Sequence, residues 1–278
     1  MRKIVSDFLK KHILKRGYII ANSEGFVVEN KTTKEEVESF IKKLYPYKID
    51  KELIRLGPNS DGGYLVPDDL VDIAACFSPG VDQISGFEED CSRLGMKLFL
   101  ADKSVDEPNL SLGINEFNFI KKYIGCSIND DYITMEKWVN DSNLDKNSDL
   151  LLQMDIEGYE YFVLLNMSNE LLSRFRVVVI EFHSLHKIWN NEFYKLISTV
   201  FEKILQTHTC IHIHPNNCSG IDIQNGIEIP RLAEFTFIRN DRINTKKPEA
   251  KFPHSLDFDN TPKEHIVLPK NWYSSNTH

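Results

Sequence analysis

The sequence predicts an α/β fold: a mostly parallel, Rossmann-like sheet covered on both faces by helices, with an antiparallel pair of strands at one edge and a helical extension at the N-terminus. Three observations predict it. From Ile54 onward, short apolar runs alternate with stretches of helical spacing, the pattern of βαβ units. The clearest runs, 150–155 and 177–183, break off at or beside a carboxylate, Asp155 and Glu181. The last two strands, 209–217 and 232–240, are joined without an obvious helix, so they can lie antiparallel.

The elements follow in order. Residues 3–15 set Ile4, Phe8, Leu9, His12, Ile13 and Leu14 at roughly helical spacing among lysines. Such a helix can lie on a membrane surface, but packing on its own domain, or on a neighbouring subunit of a homo-oligomer, is favoured. A second helix is expected from Thr33 to Leu44, with Glu35 and Glu36 in a first turn that suits the helix dipole. Residues 1–50 thus read as a helical extension, 51–240 as the core and 241–278 as a wrapping tail. Within the core, 72–81 reads as a strand ending at Pro79-Gly80, 84–95 as a helix closed by Gly95, and 97–102 as a strand ending in an acid. A third strand is expected over 117–125, a short helix over 133–139, and a longer helix around 191–206.

A chain of 278 residues can bury a full core. Its net charge of -8 argues against nucleic acid as the partner, because phosphate binding needs a basic surface. Five scattered cysteines with no CxxC spacing suit reduced thiols. No apolar run reaches the roughly 20 residues that span a bilayer, and the N-terminus lacks a signal-peptide apolar region. The expectation is a soluble cytoplasmic protein without a transmembrane segment.

Ligands of open α/β sheets bind beyond the carboxyl ends of the strands, and polar and small residues gather there: Ser78-Pro79-Gly80, Asp102, Asp155, Glu181 with His183, and His214 with Asn216 and Asn217. A small-residue turn after the first strand lets backbone approach a ligand. Asp102, 22 residues after Gly80, can accept both hydroxyls of a ribose. The turn reads SPGVDQISG rather than GxGxxG, which weakens a pyrophosphate site. A nucleoside without a diphosphate fits better, and S-adenosylmethionine is the candidate. The Asp61-Gly62-Gly63 turn, followed by Tyr64, reads either as a hairpin turn or as a loop that covers the ligand.

LLLQMDIEGYEYFVLL (150–165) resembles the D-x-E-G-x-E-x-x-x-L signature of the FkbM-like methyltransferases, and VVVIEFHSL (177–185) resembles the segment that follows it there. RLGPNSDGGYLVPDDL (55–70), HIHPNN (212–217) and FPHSLDFDNTPKEHIVLP (252–269) look like a subgroup found in surface-polysaccharide gene clusters. The resemblance covers residues 50–269. It implies a seven-stranded class I methyltransferase sheet and methyl transfer from S-adenosylmethionine to a hydroxyl, usually on a sugar or a polyketide. The acceptor would be a saccharide, a sugar nucleotide or a glycan.

On that reading Asp155 ends the fourth strand beside donor and acceptor, where it orients the hydroxyl or binds a cation. Glu157 and Glu160 are read as the start of the next helix, and Gly158 as allowing close packing. His183 and His214 are the candidate bases, since histidine titrates near neutrality. Asp155 and Glu181 are candidate ligands of Mg2+ or Mn2+; His212 and His214, on one strand face, form a weaker metal pair. His186, Trp189 and Asn217 are candidates for holding the acceptor. Two other functions stay open: a nucleotide-sugar-binding transferase or oxidoreductase, and a binding subunit that has lost catalysis.

Overall fold

The computed structural model describes residues 30–81, 84–111, 113, 116–249 and 251–274. The expected N-terminal helix over 3–15 lies outside these residues. The helix expected after Thr33 is present as α1, Lys34–Lys43. Its N-terminus is closed by a capping box, in which the Thr33 hydroxyl accepts from Glu36 N and the Glu36 carboxylate accepts from Thr33 N.

The central sheet has seven strands: β1 (Ala75–Pro79), β2 (Lys97–Ala101), β3 (Phe117–Ile120), β4 (Leu150–Met154), β5 (Phe175–His183), β6 (His208–Pro215) and β7 (Leu232–Arg239). Their order is β3-β2-β1-β4-β5-β7-β6. All pairings among β3, β2, β1, β4 and β5 are parallel. β7 alone runs antiparallel, inserted between β5 and β6. The strand order reverses between β1 and β4, so their carboxyl ends open a crevice.

Period-two alternation decides which face each strand residue covers. Leu150, Leu152 and Met154 of β4 and Val178, Ile180 and Phe182 of β5 enter one core. That face is covered by α1, α3 (Met135–Asp141), α4 (Glu160–Asn166), α5 (Asn169–Arg174) and α6 (Asn191–Leu205). Leu151, Val177 and Val179 enter the opposite core with Phe87 and Cys91 of α2 (Gly86–Arg93).

Three details differ from the sequence expectation. The run 117–125 is not one strand: after β3 the chain turns, and Tyr123–Ile124 pairs instead with Tyr132–Ile133. Residues 55–70 do form a hairpin, Leu53–Leu56 with Tyr64–Pro67, but the connection spans 57–63 rather than a two-residue turn. A further hairpin, Ile221–Gln224 with Ile227–Pro230, turns at Asn225-Gly226, both with positive φ. Asn-Gly between alternating hydrophobics signals that hairpin in sequence. The tail wraps the core: Lys246–Pro248 pairs with Tyr47–Ile49, and Leu268 and Trp272 are buried.

Candidate active site

β1 ends in a turn that only glycine can make. Gly80 has φ +85, and a Cβ there would lie 1.6 Å from the Asp155 carbonyl oxygen. The Asp155 amide donates to Pro79 O at 3.2 Å, so the ends of β1 and β4 lie in backbone contact. Against this seam opens a cavity of about 610 Å³. Asp61, Gly62 and Tyr64 of the first hairpin, Gly80, Asp102 and Asp155 line it. These are six of the eight positions the sequence nominated for a cofactor. Gly63 packs inside the hairpin loop, where a Cβ would meet Pro58 O at 2.0 Å.

Ser78 is fully buried behind the cavity wall. Its hydroxyl lies 2.6 Å from Glu88 Oε1 and 2.7 Å from Gln153 Oε1, and the Gln153 amide donates to the Tyr64 hydroxyl at 3.2 Å. One serine proton serves two acceptor oxygens; a neutral Glu88 carboxyl would supply the second. Burial pushes Glu88 up to about 7, only partly offset by the Ser78 hydrogen bond. Glu88 lines the cavity, and its Oε2 is buried with no hydrogen-bond partner. Sequence reasoning missed this residue, because one acid in an amphipathic helix looks like any other.

Asp102 lies one residue beyond β2 and lines the cavity. Its Oδ1 accepts from Ser104 N and Ser104 Oγ, both at 2.7 Å, which fixes the carboxylate. Around the mouth, Tyr123, Tyr132, Tyr159 and Phe162 form a row of rings with centroids 5.6, 6.5 and 5.6 Å apart. This aromatic wall was also missed, since Tyr123 and Tyr132 meet only through the short parallel pairing of their segments.

The end of β4 builds a second feature. Glu157 (φ +56) and Gly158 (φ +101) both take left-handed backbone, and α4 begins only at Glu160. A Cβ on Gly158 would meet nothing closer than His183 Cβ at 3.9 Å; the glycine serves the backbone angle, not the close packing expected. The loop wraps Glu160, which is fully buried. Its Oε1 accepts from Ile156 N and Gly158 N at 3.2 and 2.9 Å and faces His183 Nδ1 at 3.0 Å. An oxygen already accepting two amide protons fixes Nδ1 as a donor, so Nε2 is the working nitrogen. Nε2 lies 3.3 Å from Glu157 Oε2 and 3.8 Å from Asp155 Oδ1. Burial opposes charge on His183, but Glu160, Asp155 and Glu157 outweigh it and hold its pKa above the usual histidine value. Asp155 is pushed up to about 7, first by burial and then by Glu160, Glu157 and Asp61, against the pull of His183.

Behind Asp155, a row of buried polar residues crosses the sheet in register: Glu181 on β5 opposite Glu234 on β7, and Glu234 opposite His214 on β6. Glu181 accepts from Asn216 Nδ2 at 3.2 Å. Burial, then Asp155, Glu234 and Asp61, raise it well above the ordinary carboxyl range. His214 is not among the residues that line the cavity. It and His212 converge on Asp257 of the tail at 3.7 and 2.9 Å, so the HIHPNN histidines grip a carboxylate of their own chain. Asn217 pins the tail, donating to Thr261 O and Lys263 O and accepting from Thr261 N. Trp189 is buried in the core under Lys31, and His186 sits half-buried on the same turn; neither lines the cavity.

No helix among the described residues is long and apolar enough to cross a membrane. No curated protein matches the chain. Residues 89–207, which run from α2 to the threshold of β6 and carry Asp102, Asp155, Glu181 and His183, match the model of the methyltransferase FkbM domain. With that match and this strand order, the resemblance read from the sequence is supported: residues 89–207 of this chain are similar to the methyltransferase FkbM domain.

Proposed function

We propose that the chain transfers a methyl group from S-adenosylmethionine to a hydroxyl of a sugar, in cytoplasmic synthesis of a surface polysaccharide. The observation that carries the donor assignment is the cavity at the ends of β1, β2 and β4, with Asp102 at its β2 side and the unpartnered, buried Glu88 Oε2 in its wall. A carboxyl oxygen buried without a partner is costly, so a ligand that brings a donor or a positive charge to Glu88 fits this wall. S-adenosylmethionine brings an ammonium, ribose hydroxyls and a sulfonium that carries the methyl group and leaves as a thioether. Asp102, held by Ser104, accepts from the ribose. The seam at Gly80 holds no side chain and lets backbone approach the ligand.

Asp155 on the cavity wall, with His183 behind it, receives the acceptor hydroxyl, which must be aligned and must lose its proton. Glu160 orients His183 so that Nε2 faces Asp155. The aromatic wall of Tyr123, Tyr132 and Tyr159 suits the apolar faces of a sugar ring, and it takes the part that His186, Trp189 and Asn217 were expected to play. A sugar-nucleotide enzyme would need a diphosphate site, and the SPGV turn offers no glycine-rich loop for one.

The test is transfer itself. Methyl-labelled S-adenosylmethionine is incubated with the full chain and a panel of saccharides, and acid-hydrolysed products are read by mass spectrometry. Labelled O-methyl sugar is the expected product. Label found only on nitrogen or sulfur acceptors would overturn the assignment.

A further inference from the structure

Asp155, Glu181 and His183 come from the ends of two adjacent strands, β4 and β5, and one ligand atom of each lies within 4.8 Å of the others. We propose that these three side chains hold a divalent cation beside the cavity, where Asp155 alone of the three reaches its wall, with Glu160 as the partner that aims the histidine. The site stands on these residues alone; its role in activating an acceptor hydroxyl rests on the methyl-transfer reading.

The geometry suits a shared ion. Ligands on opposite sides of a small divalent cation, each at about 2.1 Å, are about 4.2 Å apart. A modest side-chain rotation closes 4.8 Å to that span. His183 is already set as a metal-binding histidine is set: Nδ1–H is donated to a buried carboxylate, which turns the Nε2 lone pair toward Asp155. That device fixes a ring against rotation, and a histidine that only filled space would not need it. Asp155 Oδ1 is itself a buried atom with no hydrogen-bond partner, although the rest of its side chain reaches the cavity.

The charges of the surroundings point the same way. Glu157 Oε2 lies 3.3 Å from His183 Nε2, and Glu234 sits opposite Glu181 across the sheet. Buried carboxylates this crowded either take up protons or share a cation. Two carboxylates with one imidazole suit Mn2+, and Mg2+ more weakly. They also neutralise the ion, so it does not repel a cationic methyl donor nearby. A hydroxyl oxygen bound to that ion would become a stronger acid at neutral pH.

The test uses Mn2+ alone, titrated into the full chain without S-adenosylmethionine and followed by electron paramagnetic resonance. One ion bound per chain is expected, with a pulsed-resonance coupling to a histidine nitrogen. Asp155→Asn, Glu181→Gln and His183→Ala, checked for folding by circular dichroism, should each weaken Mn2+ at least tenfold. The nitrogen coupling in the unmodified chain decides the matter even where a variant fails to fold. Mn2+ left free at millimolar concentration, no nitrogen coupling, or undiminished binding in a folded variant would overturn the site. S-adenosylmethionine titrated into the same sample separates the two readings: cation binding without it overturns only the donor assignment, and its binding without the cation overturns only the metal site.

Discussion

Replacing Glu88 with glutamine should stabilise the fold, and by an amount that grows with pH. Glu88 is 3% exposed on α2, and burial raises its carboxyl from 4.5 to about 7. A carboxyl raised on folding lends stability while it is protonated. That stability is fully present below the unfolded value of 4.5 and is lost as pH rises through about 7. At about 1.4 kcal/mol per pH unit, the rise amounts to about 3 kcal/mol. Glutamine has the shape of the neutral acid and can hydrogen-bond Ser78 at any pH. The stability gap between Glu88→Gln and the unmodified chain should therefore be small near pH 4.5 and approach about 3 kcal/mol above pH 7, roughly 6 °C in melting temperature for a chain of this size. Melting both proteins by circular dichroism from pH 4.5 to 8.5 reads the gap directly, since the other acids cancel in the difference. A gap that does not change with pH would show that Glu88 is not held protonated by its burial. The same substitution should weaken S-adenosylmethionine, because a site held ready for a ligand is held at the expense of stability.

His183→Ala should cut turnover by about 10²–10⁴-fold while donor affinity stays nearly constant. Near-normal turnover in a folded His183→Ala variant would contradict a part for His183 at the acceptor. Gly80→Ala should melt several degrees lower or fail to fold, since positive φ alone costs a non-glycine residue about 1–3 kcal/mol and the Cβ would also strike Asp155 O; an alanine variant melting with the unmodified chain would show that the seam yields.

The strands were legible because each buries alternating residues in two cores, so β4 and β5 announce themselves as continuous apolar runs closed by Asp155 and by Glu181 with His183. The place of β7 was not, because only pairing across the sheet puts it between β5 and β6. Asp102 and Gly80 were legible from their place at strand ends. Glu88 was hidden: its partners, Ser78 and Gln153, come from two strands brought together only by folding. The histidines of HIHPNN looked like a site because the sequence places them on one strand face. Their partner Asp257 lies 43 residues beyond His214, in a tail whose path no local pattern fixes.

Whether the β1–β2–β4 cavity takes S-adenosylmethionine through Asp102 is read by calorimetric titration of the full chain with S-adenosylmethionine, NAD and a UDP-sugar. One site for S-adenosylmethionine is expected, weakened by roughly 1.5–3 kcal/mol in Asp102→Ala, with no saturable binding of NAD. Binding of NAD in preference, or an unchanged affinity for S-adenosylmethionine in a folded Asp102→Ala variant, would contradict it.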